Sequence, residues 1–137
     1  MGHATELKHS IMLNGAKAPH FAYVGDSILG NEVNLGAGTK LSNLAVHSEK
    51  SPATGQRPTI KISIERQLVD TGLTKFGAII GDETQLGCNS VTNPGCLIGP
   101  RTLVYANASI SKGFLPGDSI VKLRQEQLVA RRKQSDR

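Results

Sequence analysis

From Thr74 onward an aliphatic or β-branched residue returns at every sixth place: Thr74, Ile80, Leu86, Thr92, Ile98, Val104 and Ile110. The fourth place after each is small, being Ala78, Thr84, Ser90, Cys96, Thr102 and Ala108 in turn, until Phe114 ends the column with a large residue. Glycine often follows the aliphatic position, as at Gly81, Gly87 and Gly99, where a corner would ask for a backbone conformation that glycine adopts at little steric cost. An earlier stretch repeats the pattern with Tyr23, Leu29, Leu35 and Leu41, flanked by Gly30 and Gly36, and with Ser27, Val33, Thr39 and Ala45 in the small place. The period of six predicts one short flat strand and one corner per hexad, three hexads closing a triangular coil, and coils stacked at about 4.8 Å.

The period breaks at definite places. Met1, Leu7 and Leu13 are six apart, so the first hexad begins at residue 1 and the expectation is that further coils precede it or that a partner covers this end. Leu13 and Tyr23 are ten apart, which predicts that Lys17-Ala18-Pro19-His20-Phe21 protrudes. Between Leu41 and Thr74 the phase is lost, and residues 47–58, HSEKSPATGQRP, carry turn formers without apolar periodicity and read as an external loop. Ile60, Ile62 and Ile64 alternate with polar residues and predict a strand re-entering the body. LPGDSIVKL reads as a turn and a closing strand, and RQEQLVARRKQ, rich in helix formers, predicts a terminal helix. The domain reading is a β-helical body over residues 1–123 and a helix or tail over 124–137.

The hexads resemble those of hexapeptide-repeat proteins, whose coils turn left-handed. The resemblance implies an all-β fold, a left-handed parallel β-helix with an external loop and a short C-terminal helix. A sandwich or barrel would have to produce seven in-phase hexads by chance.

Composition narrows the function classes. A chain of 137 residues suits one domain, and it holds no apolar run of the length a membrane span needs. The first residues lack a basic region leading to an apolar core, so the default location is cytoplasmic. Cys88 and Cys96 form neither a metal-ligand spacing nor a disulfide framework and read as reduced, mostly buried thiols. The net charge of +5 suits phosphate-bearing ligands, but Arg124, Arg131, Arg132, Lys133 and Arg137 place much of it in the tail. With no tryptophan and 4% aromatic residues, stacking platforms for nucleic-acid bases are unsupported. His3, His9 and His47 have no spacing that makes a metal site on stacked coils.

Residues 6 to 46 carry a more specific pattern: Glu6-Leu7-Lys8, then Lys17-Ala18-Pro19-His20-Phe21-Ala22-Tyr23-Val24-Gly25-Asp26, then Leu29-Gly30-Asn31-Glu32-Val33-Asn34-Leu35-Gly36-Ala37-Gly38-Thr39, and Asn43. Order and spacing together resemble the acetyltransferase domain of the bifunctional enzyme that acetylates glucosamine-1-phosphate and then uridylates it to UDP-N-acetylglucosamine. That resemblance implies an N-acetyltransferase in nucleotide-sugar biosynthesis, with acetyl-CoA as co-substrate, no metal requirement, a sugar phosphate as acceptor and a homotrimer with ligand grooves between subunits. His20 would be the general base, since an imidazole with an ordinary pKa of about 6.5 takes up a proton near neutrality. Lys8 would meet the phosphate as a point charge, Tyr23 and Asn34 would hold sugar hydroxyls or phosphate oxygens, and Asn43 would position the acyl group. Plainer readings stand beside these: a turn histidine at His20, a packing tyrosine at Tyr23, a solvated Asn34 and a surface Lys8.

The chain also departs from the family pattern. Pro100 replaces an alanine whose N–H could meet the acyl donor, and proline has no N–H. A family lysine after the asparagine has no counterpart in register, the nearest being Lys50, and a phosphate-binding arginine would lie before residue 1. These gaps keep a second reading open: a non-catalytic trimerisation or sugar-phosphate-sensing module of a sugar-1-phosphate nucleotidyltransferase system. No glycine-rich nucleotide loop is present, so nucleotidyl transfer is not expected of this chain.

Overall fold

The computed structural model describes residues 1–132, and among them every regular element is a strand. The first coil contains β1 (Glu6–Lys8) and β2 (Ile11–Met12), and the second β3 (Tyr23–Gly25), β4 (Ile28–Leu29) and β5 (Asn34–Leu35). The third opens with β6 (Lys40–Leu41), leaves for an excursion containing β7 (Lys61–Ile64) and β8 (Gln67–Asp70), and resumes with β9 (Ala78–Ile80) and β10 (Gln85–Leu86). The fourth holds β11 (Val91–Thr92), β12 (Cys96–Ile98) and β13 (Leu103–Val104), and the last β14 (Ser109–Ile110), β15 (Gly113–Leu115) and β16 (Ile120–Val121).

These strands stack in parallel into three faces, the expected β-helix. The first face runs β1-β3-β6-β11-β14, the second β2-β4-β9-β12-β15, and the third β5-β10-β13-β16, extended by a parallel bridge from Lys17 to Asn34. The small column lies inside as predicted: Ser27, Val33, Thr39, Ala78, Thr84, Ser90, Cys96, Thr102 and Ala108 are all buried. Between them Val24, Leu29, Leu35, Leu41, Ile80, Leu86, Ile98, Val104 and Ile110 form the apolar interior. Burial pushes the Cys96 thiol up to about 12, whereas Cys88 is exposed, contrary to the expectation of mostly buried thiols.

The phase of the upper coils differs from the six-residue reading. The inward residues are Met12, Ala18 and Val24, while Leu13, Tyr23 and Met1 face outward or are only half-buried. Residues 17–21 do not protrude: Ala18 is buried, Lys17 bridges to Asn34 and His20 bridges to His3. The first coil is in fact short, with Tyr23 lying over Glu6 in a register step of 17, because the corner from Leu7 to Met12 has five positions instead of six, and the corner from Val24 to Leu29 shortens the second coil in the same way. The same corner, between the first and second faces, is also shortened from Ile110 to Leu115 and hosts the excursion between Leu41 and Ile80. Every change of coil length thus falls at one corner. Phe114 consequently points outward at 58% exposure and Leu115 packs inside, and Thr74 lies exposed on the excursion.

The corner glycines also act differently from the expectation. None of Gly81, Gly87 and Gly99 adopts a positive φ, and that role falls two places later to Glu83, Asn89 and Arg101. Glycine is required instead for approach. A Cβ on Gly99 would stand 2.2 Å from the Gly117 amide nitrogen, and one on Gly87 2.4 Å from that of Ala106. Adjacent coils meet there backbone to backbone.

The excursion begins with the predicted external loop, which carries no strand, and the strand expected around Ile62 forms as β7, which lies against the body without joining one of its three faces. β7 pairs antiparallel with β8, and Ile60 and Ile62 turn inward against Gly95, where a Cβ would meet their methyl groups at 3.0 and 2.7 Å. The closing strand after Phe114 forms as β16. The terminal helix does not: residues 124–132 are without regular structure, and 133–137 lie outside the described residues. Leu128 and Val129 are exposed among the described residues, and a helix with so thin an apolar stripe has little tertiary support. No helix among the described residues is long and apolar enough to cross a membrane.

Candidate functional site

The corner between the first and second faces gathers polar side chains where the coils tighten. Alternation along β1 turns Lys8 outward, in register with Gly25 of β3 one coil below. Over Gly25 lie the side chains of two neighbours: a Cβ there would stand 2.6 Å from the Tyr23 hydroxyl and 2.8 Å from Asn43 Nδ2. Glycine is what lets the tyrosine ring and the amide settle on the strand. Asp26 follows at the turn with φ near 45° and accepts a hydrogen bond from Asn43 Nδ2 at 2.5 Å. Its other oxygen lies 3.7 Å from His9 Nδ1, with the His9 ring open to solvent.

Backbone and hydroxyl bonds hold this corner rigid. The Asp26 amide donates to the Lys8 carbonyl, and Ser10 Oγ donates to the Lys8 carbonyl at 2.8 Å, with the Val24 carbonyl within reach at 3.1 Å, while accepting from the Ser27 amide. Ser27 Oγ, buried, donates to the Gly25 carbonyl at 2.7 Å and accepts from the Ala78 amide at 2.9 Å. The excursion returns to the same place, because Phe76 donates its amide to the Asn43 carbonyl and Gly77 to that of Asp26, both at 2.9 Å. Beside it opens a cavity of about 530 Å³ with an apolar floor of Ile11, Ile28 and Ile79 and a rim of His9, Asp26 and Lys75.

Of the residues predicted from the sequence, the single chain therefore brings together Lys8, Tyr23 and Asn43. It does not bring His20 or Asn34 to them. His20 sits exposed at the opposite edge of the first face, paired with His3, and its carbonyl accepts from the Gly38 amide. Asn34, half-buried in β5, lies on the third face next to Lys17 and Gln85. Tyr23 is half-buried and outward, with Val24 taking the packing role, so the reading of Tyr23 as a core residue is overturned.

Sequence reasoning missed His9, Asp26 and Lys75. Asp26 stood inside the matched segment, and its carboxylate orders Asn43. Lys75 was concealed by the excursion, which moves it 32 positions past Asn43 in sequence yet returns it to the same corner. Lys50, the nearest lysine in sequence, lies in the external loop and does not line this cavity.

The chain is similar to curated sugar-nucleotide enzymes. It is 34% identical over 89 residues, 65% of its length, to the bifunctional sugar-1-phosphate nucleotidylyltransferase/acetyltransferase of Sulfurisphaera tokodaii, of which the match covers 20%. It is 38% identical over 87 residues to the bifunctional protein GlmU of Methanococcus vannielii, and 33% identical over 87 residues to that of Methanocaldococcus jannaschii, covering 64% of this chain and 19% of each relative. The match thus spans about a fifth of these relatives. No family model matches the chain.

Proposed function

We propose that this chain is a hexapeptide-repeat acyltransferase that moves an acetyl group from acetyl-CoA to the amine of an amino-sugar phosphate, in nucleotide-sugar synthesis. The observation that carries the reading is the ordered corner of Lys8, Tyr23, Asn43, Asp26 and Lys75, on a chain similar to bifunctional sugar-1-phosphate nucleotidylyltransferase/acetyltransferases. Lys8 and Lys75 supply cations for a phosphate, the Tyr23 hydroxyl and Asn34 amide supply hydrogen bonds to the sugar, and Asn43, held by Asp26, points an amide at the acyl group. The His20 imidazole accepts the proton of the attacking amine, the amine nitrogen bonds to the thioester carbonyl carbon, and the C–S bond breaks as that proton passes to the departing sulfur, which leaves as the CoA thiol.

His20 stands across the first face from that corner and Asn34 lies on the third face, so the complete site needs a second copy of the chain to supply both. The outward column of the second face, Ile11, Ile28, Ile79, Leu97 and Phe114, is apolar throughout and supports self-association. A homotrimer around a threefold axis would set the His20 edge of one copy against the Lys8 corner of the next.

A second reading, a non-catalytic trimerisation or sugar-phosphate-sensing module of a nucleotidyltransferase system, is favoured by Pro100. It occupies the corner between Gly81 and Gly117 and offers no N–H to an acyl donor there. Release of free thiol from acetyl-CoA separates the readings. Turnover that requires glucosamine-1-phosphate or another amino-sugar phosphate and is lost in His20→Ala supports the enzyme. Sugar-phosphate binding without turnover, in this chain and in a longer polypeptide carrying upstream coils, supports the module.

A further inference from the structure

The excursion encloses a second cavity, of about 370 Å³, on the far side of its return arm from the Lys8 corner. Thr74 faces this cavity, whereas Lys75, the next residue, faces the other. Lys61 of β7 and Lys112, at the corner after β14, both line it, joined by His47 and Ser48. We propose that this cavity is an anion subsite that takes the phosphoryl group of a phosphate monoester or diphosphate.

Two lysines from elements far apart in the chain line it, and among the described residues neither has a carboxylate within 4.0 Å. The acid nearest to Lys61 in the hairpin is its cross-strand partner Asp70, whose carboxylate already accepts from the Thr59 hydroxyl and the Gly72 amide, both at 2.9 Å. Those bonds hold the Asp70 carboxyl below the usual range, with only a smaller contribution from Lys61. Glu49 lies with His47 on an adjoining cleft and does not line this cavity. Arg57 donates to the carbonyl and the hydroxyl of Ser48, fixing the loop and adding a third cation beside the wall.

Two lysines flanked by the hydroxyls of Ser48 and Thr74 suit an anion with several acceptor oxygens distributed tetrahedrally. The excursion supplies most of these groups, so the subsite belongs to the insertion and not to the coil scaffold. Two sources offer this chemistry, the sugar phosphate of an acceptor and the nucleotide end of a thioester donor. Binding of the anion there is independent of acyl transfer.

The test is calorimetric titration of the chain at low salt with inorganic phosphate, glucosamine-1-phosphate and adenosine 3′,5′-bisphosphate, repeated on Lys61→Ala, Lys112→Ala and Lys112→Gln. Saturable binding of at least one probe is expected. It should weaken about tenfold in each variant, the equivalent of one charge-assisted hydrogen bond, with the thermal midpoint unchanged. Whichever organic phosphate binds tighter identifies the source. Absence of saturable binding by all three probes overturns the proposal. So does an equal loss in Lys122→Ala, which would mean diffuse charge, or a loss confined to Lys8→Ala, which would place the anion at the other corner.

Discussion

The Phe76 amide donates to the Asn43 carbonyl at 2.9 Å although the two residues are 33 positions apart, so the excursion leaves and rejoins the β-helix at a single point. Its removal should spare the coils. Replacing residues 45–74 with a short glycine-serine linker is expected to leave a cooperative thermal transition and an unchanged far-ultraviolet β-signature. The contacts of Ile60 and Ile62 vanish together with the segment that needed them, and closing a shorter loop costs less entropy. Loss of the cooperative transition would mean that the hairpin is required by the coils.

Gly99→Ala is expected to destabilise the chain by about 1–3 kcal/mol or more in denaturant melts, since the added methyl would meet the backbone of Gly117 and Pro116 and not a yielding side chain. A neutral result would show that the coils can separate locally.

Thr92 stands in the apolar column, fully buried, and its hydroxyl has no hydrogen-bond partner among the described residues. Valine has nearly the same shape without the polar atom. Thr92→Val should therefore stabilise by about 1 kcal/mol, read from chemical unfolding of the two proteins side by side.

Lys75 and Lys50 make opposite predictions for a phosphate-bearing substrate. If acetyl transfer is measured, Lys75→Ala should lower kcat/KM about tenfold or more by removing a cation from the corner. Lys50→Ala should leave it unchanged, and the reverse ranking would return the role to the external loop.

The stacked turns carry one pH response whose sign is clear. Arg101 donates two bonds to Asp118, at 2.7 and 2.8 Å, and this holds the Asp118 carboxyl below its ordinary value. A lowered folded pKa contributes stability above the unfolded value, near pH 4, which is lost as pH falls through the folded value. The difference in thermal midpoint between the native chain and Asp118→Asn should accordingly shrink from pH 6 to pH 2. Arg101 stays protonated throughout that window.

Much of this architecture was readable from side-chain period alone. The small column from Ala78 to Ala108 and the aliphatic positions from Ile80 to Ile110 fall where counting by six puts them, because the interior of a narrow coil accepts only certain volumes at certain places. Counting failed where a corner lost a residue. Val24 and Tyr23 are both large, and nothing in their order shows that the five-residue corner turns Val24 in and Tyr23 out. The same slip misplaced Leu13 against Met12 and Phe114 against Leu115. The site was legible in proportion to its locality: Lys8, Tyr23 and Asn43 could be named from a matched segment, but the bond from Asn43 to Asp26 spans a coil and the arrival of Lys75 spans an excursion.

The linear order of residues by itself determined that this chain builds stacked three-sided coils, since a period of six is a property of volume and polarity that each hexad carries alone. Only the tertiary structure decided which residues meet at a corner. That depends on the cumulative length of every coil above it, so a single missing position or a long excursion changes neighbours that no local pattern records. His20 and Lys8 lie 12 positions apart in the chain yet end on opposite edges of a face, while Asn43 and Lys75, 32 apart, share one corner.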